Sequence, residues 1–409
     1  MNADLQINNS ANPQARYVTW SPSPCRIRMS NPSGALGSSV TVILSSISTG
    51  TGAIRFRTSP TGASSATLSL PLPVNGTSVP FFVVGQFQHP SNADGDVRIE
   101  ARVGGNLIGQ VKLMVRIRKN ANVLTPAEVS RFVAAFAQLN NQGAGRFADF
   151  RNMHTNAGSP EAHGAPGFLP WHRAYLLDLE RELQAIDSSV ALPYWRFDQP
   201  APNLFTGAFF GVSNSIGTVQ FNATNPLQFW VTDGVQGINR RPFFNTTTGF
   251  ANVINEAQTL ALGGSTAQYG SFRNLEGNPH GSAHVSFGGS ISSIPTAAKD
   301  PLFFLLHANV DRLWAKWQRQ FARFNQATAA SFFGSPNNRI GHNLPDTMWP
   351  WNGITGNPRP PTAPGGTLAA SPVVAAPGGQ PHVRDCLDFQ GRINAASRLG
   401  FDYDDVAGP

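Results

Sequence analysis

Charge is scarce in this 409-residue chain: Asp, Glu, Lys and Arg together make up 13% of it, about half the usual share. That excludes an architecture built mainly of long solvated helices. With 40 Gly and 32 Pro, it predicts closely packed strands and long loops. Cysteine is nearly absent. Cys25 and Cys386 stand near opposite ends of the chain and match no zinc or redox spacing, so they define neither a disulfide framework nor a compartment. No run reaches about 18 apolar residues, which excludes a membrane-spanning helix. The N-terminus, MNADLQINNS, has neither a basic segment nor an apolar one, so no secretory signal is visible and a soluble, cytoplasmic protein is expected by default. No internal repeat is present.

The charge is also unevenly placed. Residues 1–119 hold 11 Lys and Arg against 4 Asp and Glu, and residues 120–409 hold 19 of each, so all of the formal net charge of +7 lies in the first segment. Such a bias favours anionic partners. The arginines, however, are scattered without a basic run or aromatic interleaving, which argues against nucleic acid.

The same first segment has a period of two. Val40, Val42 and Leu44, then Val97, Ile99, Ala101 and Val103, then Val111, Leu113, Val115 and Ile117 alternate with polar residues between Gly, Ser, Asn and Pro clusters. This predicts an Ig-like β-sandwich of about seven short strands. The pattern changes at LTPAEVSRFVAAFAQL, where Thr125 and Glu128 form a capping box and Pro126 suits the first helical position. A boundary near 119 follows, dividing the chain into a basic β module, 1–119, and a mainly helical domain, 120–409, in an α+β fold. Helices are predicted at 126–140, around 146–154, at 172–187, near 280–286 and at 301–324. Long irregular connections join them. The Pro- and Gly-rich stretch 352–381 reads as a surface-hugging or partly disordered loop.

Eight of the nine histidines fall in the second segment, six of them in two triplets: His154, His163, His172 and His280, His284, His307. His172 heads an apolar stripe with Leu176, Leu179, Leu183 and Ile186, and His307 lies on another with Phe303, Val310, Trp314 and Trp317. Helical spacing therefore turns both inward. His280 and His284, four apart, share a face, and His154 follows Phe147 and Phe150 at helical spacing. A single inward histidine is an ordinary core residue. Several together are costly to bury unless something accepts their lone pairs, and a metal is the economical acceptor. Imidazole-only sites suit copper or zinc rather than calcium, magnesium or a carboxylate diiron centre.

HGAPGFLPWHRAYLLDLE and DPLFFLLHANVDRLW, with PHGSAH between them, resemble the two copper signatures of the tyrosinase and polyphenol oxidase family. Arg118 resembles the arginine at the entry of that family's domain, and LGFDYDD, residues 399–405, resembles the tyrosine motif that closes it. The resemblance covers 118–405. It implies that His154, His163 and His172 bind one copper ion, CuA, and His280, His284 and His307 the other, CuB. It further implies a four-helix-bundle core that holds the coppers close enough to bind O2 between them. The implied substrates are small phenols, oxidised to o-quinones with O2 as co-substrate.

Three departures bear on function. The double histidine usual in the second signature is Leu306-His307, with the ligand retained. No cysteine lies two residues before His163, so the thioether crosslink of many members is excluded. Gly281, not asparagine, follows His280. By the same resemblance Phe303 overhangs CuB as a gate, although its stripe also fits a core residue. Glu276 corresponds to the family's water-holding catalytic glutamate rather than a solvated loop acid, and Gly281 and Val285 face the substrate. Asp311, four after His307, either fixes a ligand histidine or pairs with Arg312 or another arginine. His89, His342 and His382 have no partnered spacing and are structural or surface residues.

The expected activity is therefore catechol oxidation with weaker monophenol hydroxylation. A hemocyanin-like oxygen carrier and an o-aminophenol oxidase at the same site are the alternatives. A zinc hydrolase is a further rival, disfavoured because HGSAH lacks the glutamate of H-E-x-x-H; loss of activity on copper chelation, with recovery by copper and not zinc, would decide against it. The 1–119 module is either a binding domain for an unidentified partner or a shield, with Tyr17, Trp20, Phe81 and Phe82 as the available plugs.

Overall fold

The computed structural model describes residues 1–33, 37–155 and 159–409. It divides into two compact units. The first comprises Met1–Ile117, Ser371–Ala376 and Phe389–Pro409, and the second Arg118–Ala370 and Pro377–Asp388.

The first unit is β structure, as the alternation requires. Its strands are β1 (Asn2–Ile7), β2 (Tyr17–Val18), β3 (Ser23–Asn31), β4 (Ser39–Ser48), β5 (Ile54–Arg57), β6 (Leu68–Pro73), β7 (Val79–Gly85), β8 (Val97–Val103) and β9 (Asn106–Val115). They form a four-stranded sheet ordered β1-β3-β7-β5 and a five-stranded sheet ordered β2-β9-β8-β4-β6. Pairing is antiparallel except between β2 and β9. In β3, Cys25, Ile27 and Met29 turn inward while Arg26 and Arg28 face solvent. The inward residues of both sheets share one apolar core that includes Phe56, Phe81, Val42, Ile99 and Leu113. Period-two alternation thus fixes which face is buried, and it leaves the arginines outside.

The suggested plugs belong to this unit's own interior. Phe81 is fully buried in the shared core and Trp20 nearly so. Tyr17 packs with Met114 and Val373 under the Arg116 guanidinium, 4.4 Å from its ring, and Phe82 is half-buried.

The C-terminal segment also departs from expectation: 389–409 belongs to the β unit, not to the helical one. Its contacts show why. The Trp20 indole N–H donates to the Tyr403 carbonyl (2.8 Å), and Asp402 accepts from the Ser21 N–H (3.0 Å) and from Gln390 (2.6 Å). Arg398 donates to Ser23 Oγ and Asn8 Oδ1. Gly408 lies so close to Trp20 that a Cβ there would come within 2.4 Å of the Trp20 carbonyl oxygen.

The second unit contains α1 (Pro126–Asn140), α2 (Phe147–Met153), α3 (Ser159–Ala162), α4 (Phe168–Ile186), α5 (Glu256–Leu260), α6 (Tyr269–Phe272), α7 (Ser282–Val285), α8 (Ile294–Ala297) and α9 (Leu302–Phe321). The Thr125–Glu128 capping box and Pro126 start α1, and Asn141, with φ of 44°, ends it. Helix α4 begins four residues before the predicted start because Phe168, Leu169, Pro170 and Trp171 are all buried, and a proline in a first turn removes no helical hydrogen bond. Helices α4 and α9 pack on each other and α1 on α4. They enclose a phenylalanine-rich core in which Phe136, Phe147, Trp230 and Phe304 meet edge to face at 4.5–5.8 Å.

Both central helices bury charge, and much of it is paired. Arg118 binds Glu180 (2.7 Å) and Asp311 (3.2 Å), and Arg173 binds the other Asp311 oxygen (2.6 Å). Asp311 therefore joins two arginines, neither of them Arg312, which pairs with Glu256. The 352–381 stretch has no helix or strand but is anchored. Ala369 N–H donates to Asp178 and the Ala369 carbonyl accepts from Arg181, while the Trp349 indole donates to the Thr362 carbonyl. No helix among the described residues is long and apolar enough to cross a membrane.

Candidate metal centre

The two histidine triplets come together inside the second unit. In each, one nitrogen per ring can be chosen so that all three lie within 4.8 Å of one another. His172 is supplied by α4 and His307 by α9. His154 is the residue just past α2, and His163 lies in the turn between α3 and α4. His280 ends a wide turn of π type, Gly277–Gly281, that runs into α7 and His284; such turns re-aim side chains where a regular helix would not. The triplets adjoin, with the His172 and His307 rings stacked at 4.2 Å.

Hydrogen bonds set the direction of each ring. Nδ1 of His154, His172, His280 and His284 lies 2.7–3.1 Å from the carbonyls of Ile294, Phe168, Glu276 and Ile291 respectively. A carbonyl only accepts, so each Nδ1 carries the proton and each Nε2 presents a lone pair. Nε2 of His154 and of His172 is buried without any hydrogen-bond partner. Nε2 of His280 and of His284 converges on His307 Nε2 at 3.3 and 3.1 Å. Buried lone pairs left unpaired or aimed at one another are unfavourable on their own, and a cation at each triplet relieves both conditions. The donor set therefore fits two imidazole-preferring transition-metal ions.

The protonation states agree. Burial pushes His154, His172, His280 and His307 well below the ordinary histidine range, neighbouring histidines adding to the shift, and burial holds His284 at about 4. All five are neutral at pH 7, the state in which imidazole ligates a metal.

His307 is oriented differently. Its Nδ1 is buried with no partner, and ring packing holds it: Phe303 lies at 4.1 Å on one side and His172 at 4.2 Å. Phe303 also meets His154 edge-on at 4.6 Å. It is fully buried and absent from the cavity wall. The expected gate is thus a wedge between the triplets, because its spacing of four from His307 places it on the ligand's own face. Asp311 likewise binds the two arginines and leaves His307 Nδ1 unpartnered.

A cavity of about 670 Å3 opens over the histidines, lined among others by His154, His163, Glu276, His280, Gly281 and His284. Glu276, Gly281 and Val285 are among the residues that line it. Glu276 Oε1 accepts from the Gly164 N–H at 2.6 Å, Oε2 lies 3.8 Å from Arg273, and burial raises its pKa. The opposite wall, Ile291 to Ala297, went unnoticed in the sequence. Its Ile291 and Ile294 carbonyls orient one histidine of each triplet, a role any residue type fills and no motif marks.

His342, expected to be structural or at the surface, is structural. It is fully buried. Its Nδ1 accepts from the Gly167 N–H (3.0 Å) and its Nε2 donates to the Pro160 carbonyl (3.0 Å), tying the start of α4 to α3 across the turn that carries His163. Gly167 is required there, since a Cβ would lie 2.6 Å from His342 Nδ1.

Comparison with known proteins agrees with this geometry. The common central domain of tyrosinase matches residues 144–320. The tyrosinase of Streptomyces glaucescens is 36% identical over 267 residues, 58% of this chain and 92% of that protein. Grixazone synthase of Streptomyces griseus is 32% identical over 50% of this chain and 85% of that protein. Hemocyanin 2 of Megathura crenulata is 30% identical over 49% of this chain but only 6% of that protein. With 36% identity to a tyrosinase over nearly that enzyme's whole length, and with two imidazole triplets of which all but His163 are buried, this chain belongs to the tyrosinase family of type-3 copper oxidoreductases, whose members bind a dicopper centre and use O2.

Proposed function

We propose that this chain is a dicopper phenol oxidase acting mainly on o-diphenols, with His154, His163 and His172 holding one copper and His280, His284 and His307 the other. Bound there, the coppers supply the electron transfer to O2. Two o-diphenols lose four electrons and four protons in becoming o-quinones, and one O2 takes all of them to form two waters. The chain keeps five of these imidazoles neutral, fixes four of them through backbone carbonyls, and admits a planar ring. The observation that carries the reading is the cavity. At about 670 Å3 it is far larger than O2 needs, it reaches histidines of both triplets, and its rim is apolar and open, with Val285 62% and Ile294 45% exposed. That favours an enzyme over an oxygen carrier, and catechol turnover without detergent or protease tests the choice.

The preference for diphenols rests on Glu276 and Gly281. A monophenol must lose its proton before its oxygen can ligate a metal, and its pKa near 10 leaves few molecules ionised at neutral pH. A water held between a carboxylate and an amide side chain would accept that proton. Here Glu276 already serves Gly164 N–H, and Gly281 offers no amide. Loss of general-base help costs typically about 10² to 10⁴ in rate, and it falls on hydroxylation more than on catechol oxidation.

The test is the ratio of tyramine hydroxylation to dopamine oxidation by copper-loaded protein, before and after Gly281→Asn. The substitution should raise the ratio. Gly281→Ala separates the amide from the Cβ, which would sit a tight 3.3 Å from the Glu276 carbonyl oxygen. If wild type hydroxylates tyramine as fast as it oxidises dopamine, or if Gly281→Asn leaves the ratio unmoved, this account of substrate choice is wrong. Metal analysis should find two coppers per chain, and His172→Ala or His284→Ala should remove one of them together with nearly all oxidase activity.

A further inference from the structure

We propose that Phe243 and Phe250 form a second subsite beside the histidine cavity, one that takes an uncharged aromatic or alkyl extension of the phenolic substrate; this rests on the phenol-oxidase reading above. A separate hollow of about 390 Å3 is lined by Phe243, Phe244, Phe250 and Asn252 together with Ser282, Val285 and Ser286. Val285 lines both this hollow and the histidine cavity, and it directly follows His284. A ring seated over the histidines therefore has a path for its substituent across Val285.

The shelf is built in advance. Phe243 is 65% and Phe250 49% exposed, unusual for side chains that cost free energy in water. Yet the backbone beneath them is fixed. Phe243 N–H donates to the Ser286 carbonyl (2.9 Å), Asn252 N–H donates to Ser286 Oγ (3.0 Å), and Pro242 lies opposite Phe287 in a short antiparallel ladder. Gly288 leaves room for the Phe243 ring, since a Cβ there would approach it to 3.2 Å. Phe244 is locked among Trp195 and Phe287, at 6.3 and 5.3 Å.

Charge selects the class of extension. Among the described residues neither lining includes Lys or Arg, and the acidic member is Glu276. A carboxylate seated on this shelf would find no cationic lining partner, whereas an apolar ring would cover two exposed aromatic ones. The chain is therefore suited to catechols with a hydrophobic second group and poorly suited to catechols that end in an acid.

The experiment is kcat/KM of the copper-loaded full chain for 4-phenylcatechol, 4-methylcatechol and 3,4-dihydroxyphenylacetate. Wild type should favour 4-phenylcatechol over the acid by at least about tenfold, and Phe243→Ala/Phe250→Ala should cut the phenyl-to-methyl ratio about tenfold, mainly through KM, the range expected for apolar pocket contacts. Val285→Arg, placing a cation between the two hollows, should move the preference toward the acid. A phenyl-to-methyl ratio within about twofold of wild type in the double variant, where apolar contact should be worth far more, overturns the subsite while leaving the phenol-oxidase reading standing. Failure to oxidise any of the three overturns that reading, and the subsite with it.

Discussion

His342 offers the sharpest test of how this fold holds its histidines. It accepts from Gly167 N–H and donates to the Pro160 carbonyl, both at 3.0 Å. Burial, the largest cause, lowers its pKa to about 4. The Pro160 carbonyl and Asp346 act in the raising direction, and Arg339 and Arg273 in the lowering one; Glu161, packed on neighbouring Gly341, is paired with Arg359. An unfolded histidine titrates near 6.5. Between those values the unfolded chain binds a proton that the folded chain refuses, so stability is fully present above pH 6.5 and is lost as pH falls toward 4. At pH 4.5 the two-unit gap is worth up to about 2.7 kcal/mol.

His342→Gln can keep an acceptor for Gly167 and a donor for Pro160 while removing the titration. At pH 7.5 it should cost about 1 kcal/mol for imperfect hydrogen bonds. Toward pH 4.5 the difference from wild type should vanish or change sign, since the slopes contributed by the other histidines are common to both proteins and cancel. Denaturant unfolding of both proteins across pH 4.5–7.5 measures this. A difference in stability that stays constant across the range would refute the assignment of a neutral, doubly bonded His342. His342→Ala, which leaves both backbone groups unpartnered, should in addition lower copper content below two per chain by loosening the turn that carries His163.

Other expectations follow from the same contacts. Gly167→Ala should destabilise the protein as His342→Ala does, since its Cβ would meet both the Gly341 carbonyl oxygen at 2.4 Å and His342 Nδ1 at 2.6 Å; thermal unfolding indistinguishable from wild type would contradict that crowding. Asp311→Ala leaves two fully buried arginines short of a carboxylate and should cost about 3–5 kcal/mol, measured by denaturant midpoint, with an effect below about 1 kcal/mol counting against the network. Removing residues 389–409 takes away the acceptor of the Trp20 indole and the partners of Ser21, Ser23 and Asn8, so limited proteolysis should find the β unit newly cleavable. An unchanged digestion pattern would show that the tail is dispensable.

Much of this was legible in the sequence because the relevant signals are local. The capping box at Thr125 and Glu128 and the period-two stretches of β8 and β9 are decided within a few residues. The six histidines were legible for a related reason: His172 and His307 sit on helical stripes whose other members must be buried, so their direction follows from period alone. The start of α4 was placed four residues too late because the apolar stripe was read from His172, whereas burial of Phe168, Leu169, Pro170 and Trp171 carries the helix back to Phe168.

What stayed hidden are choices of partner between distant segments. Asp311 had a charged neighbour on its own helix in Arg312, yet it binds Arg118 and Arg173, because both of those are brought to its side of α9 while Arg312 points to Glu256 on α5. Phe303 was expected as a gate, with a core residue as the alternative, but its ring is pressed on His307, where it takes the place of the carbonyl that orients most of the other imidazoles. The tail is the extreme case. LGFDYDD resembles a motif that closes a helical domain, but Tyr403 contributes a backbone carbonyl to Trp20, and the fully buried Asp402 carboxylate is satisfied by Ser21 and Gln390. A fragment spanning 120–409 would therefore carry the buried Asp402 carboxylate without Ser21 and Arg398 without Ser23 and Asn8, so a boundary drawn where the pattern changes near 119 separates the tail from its partners.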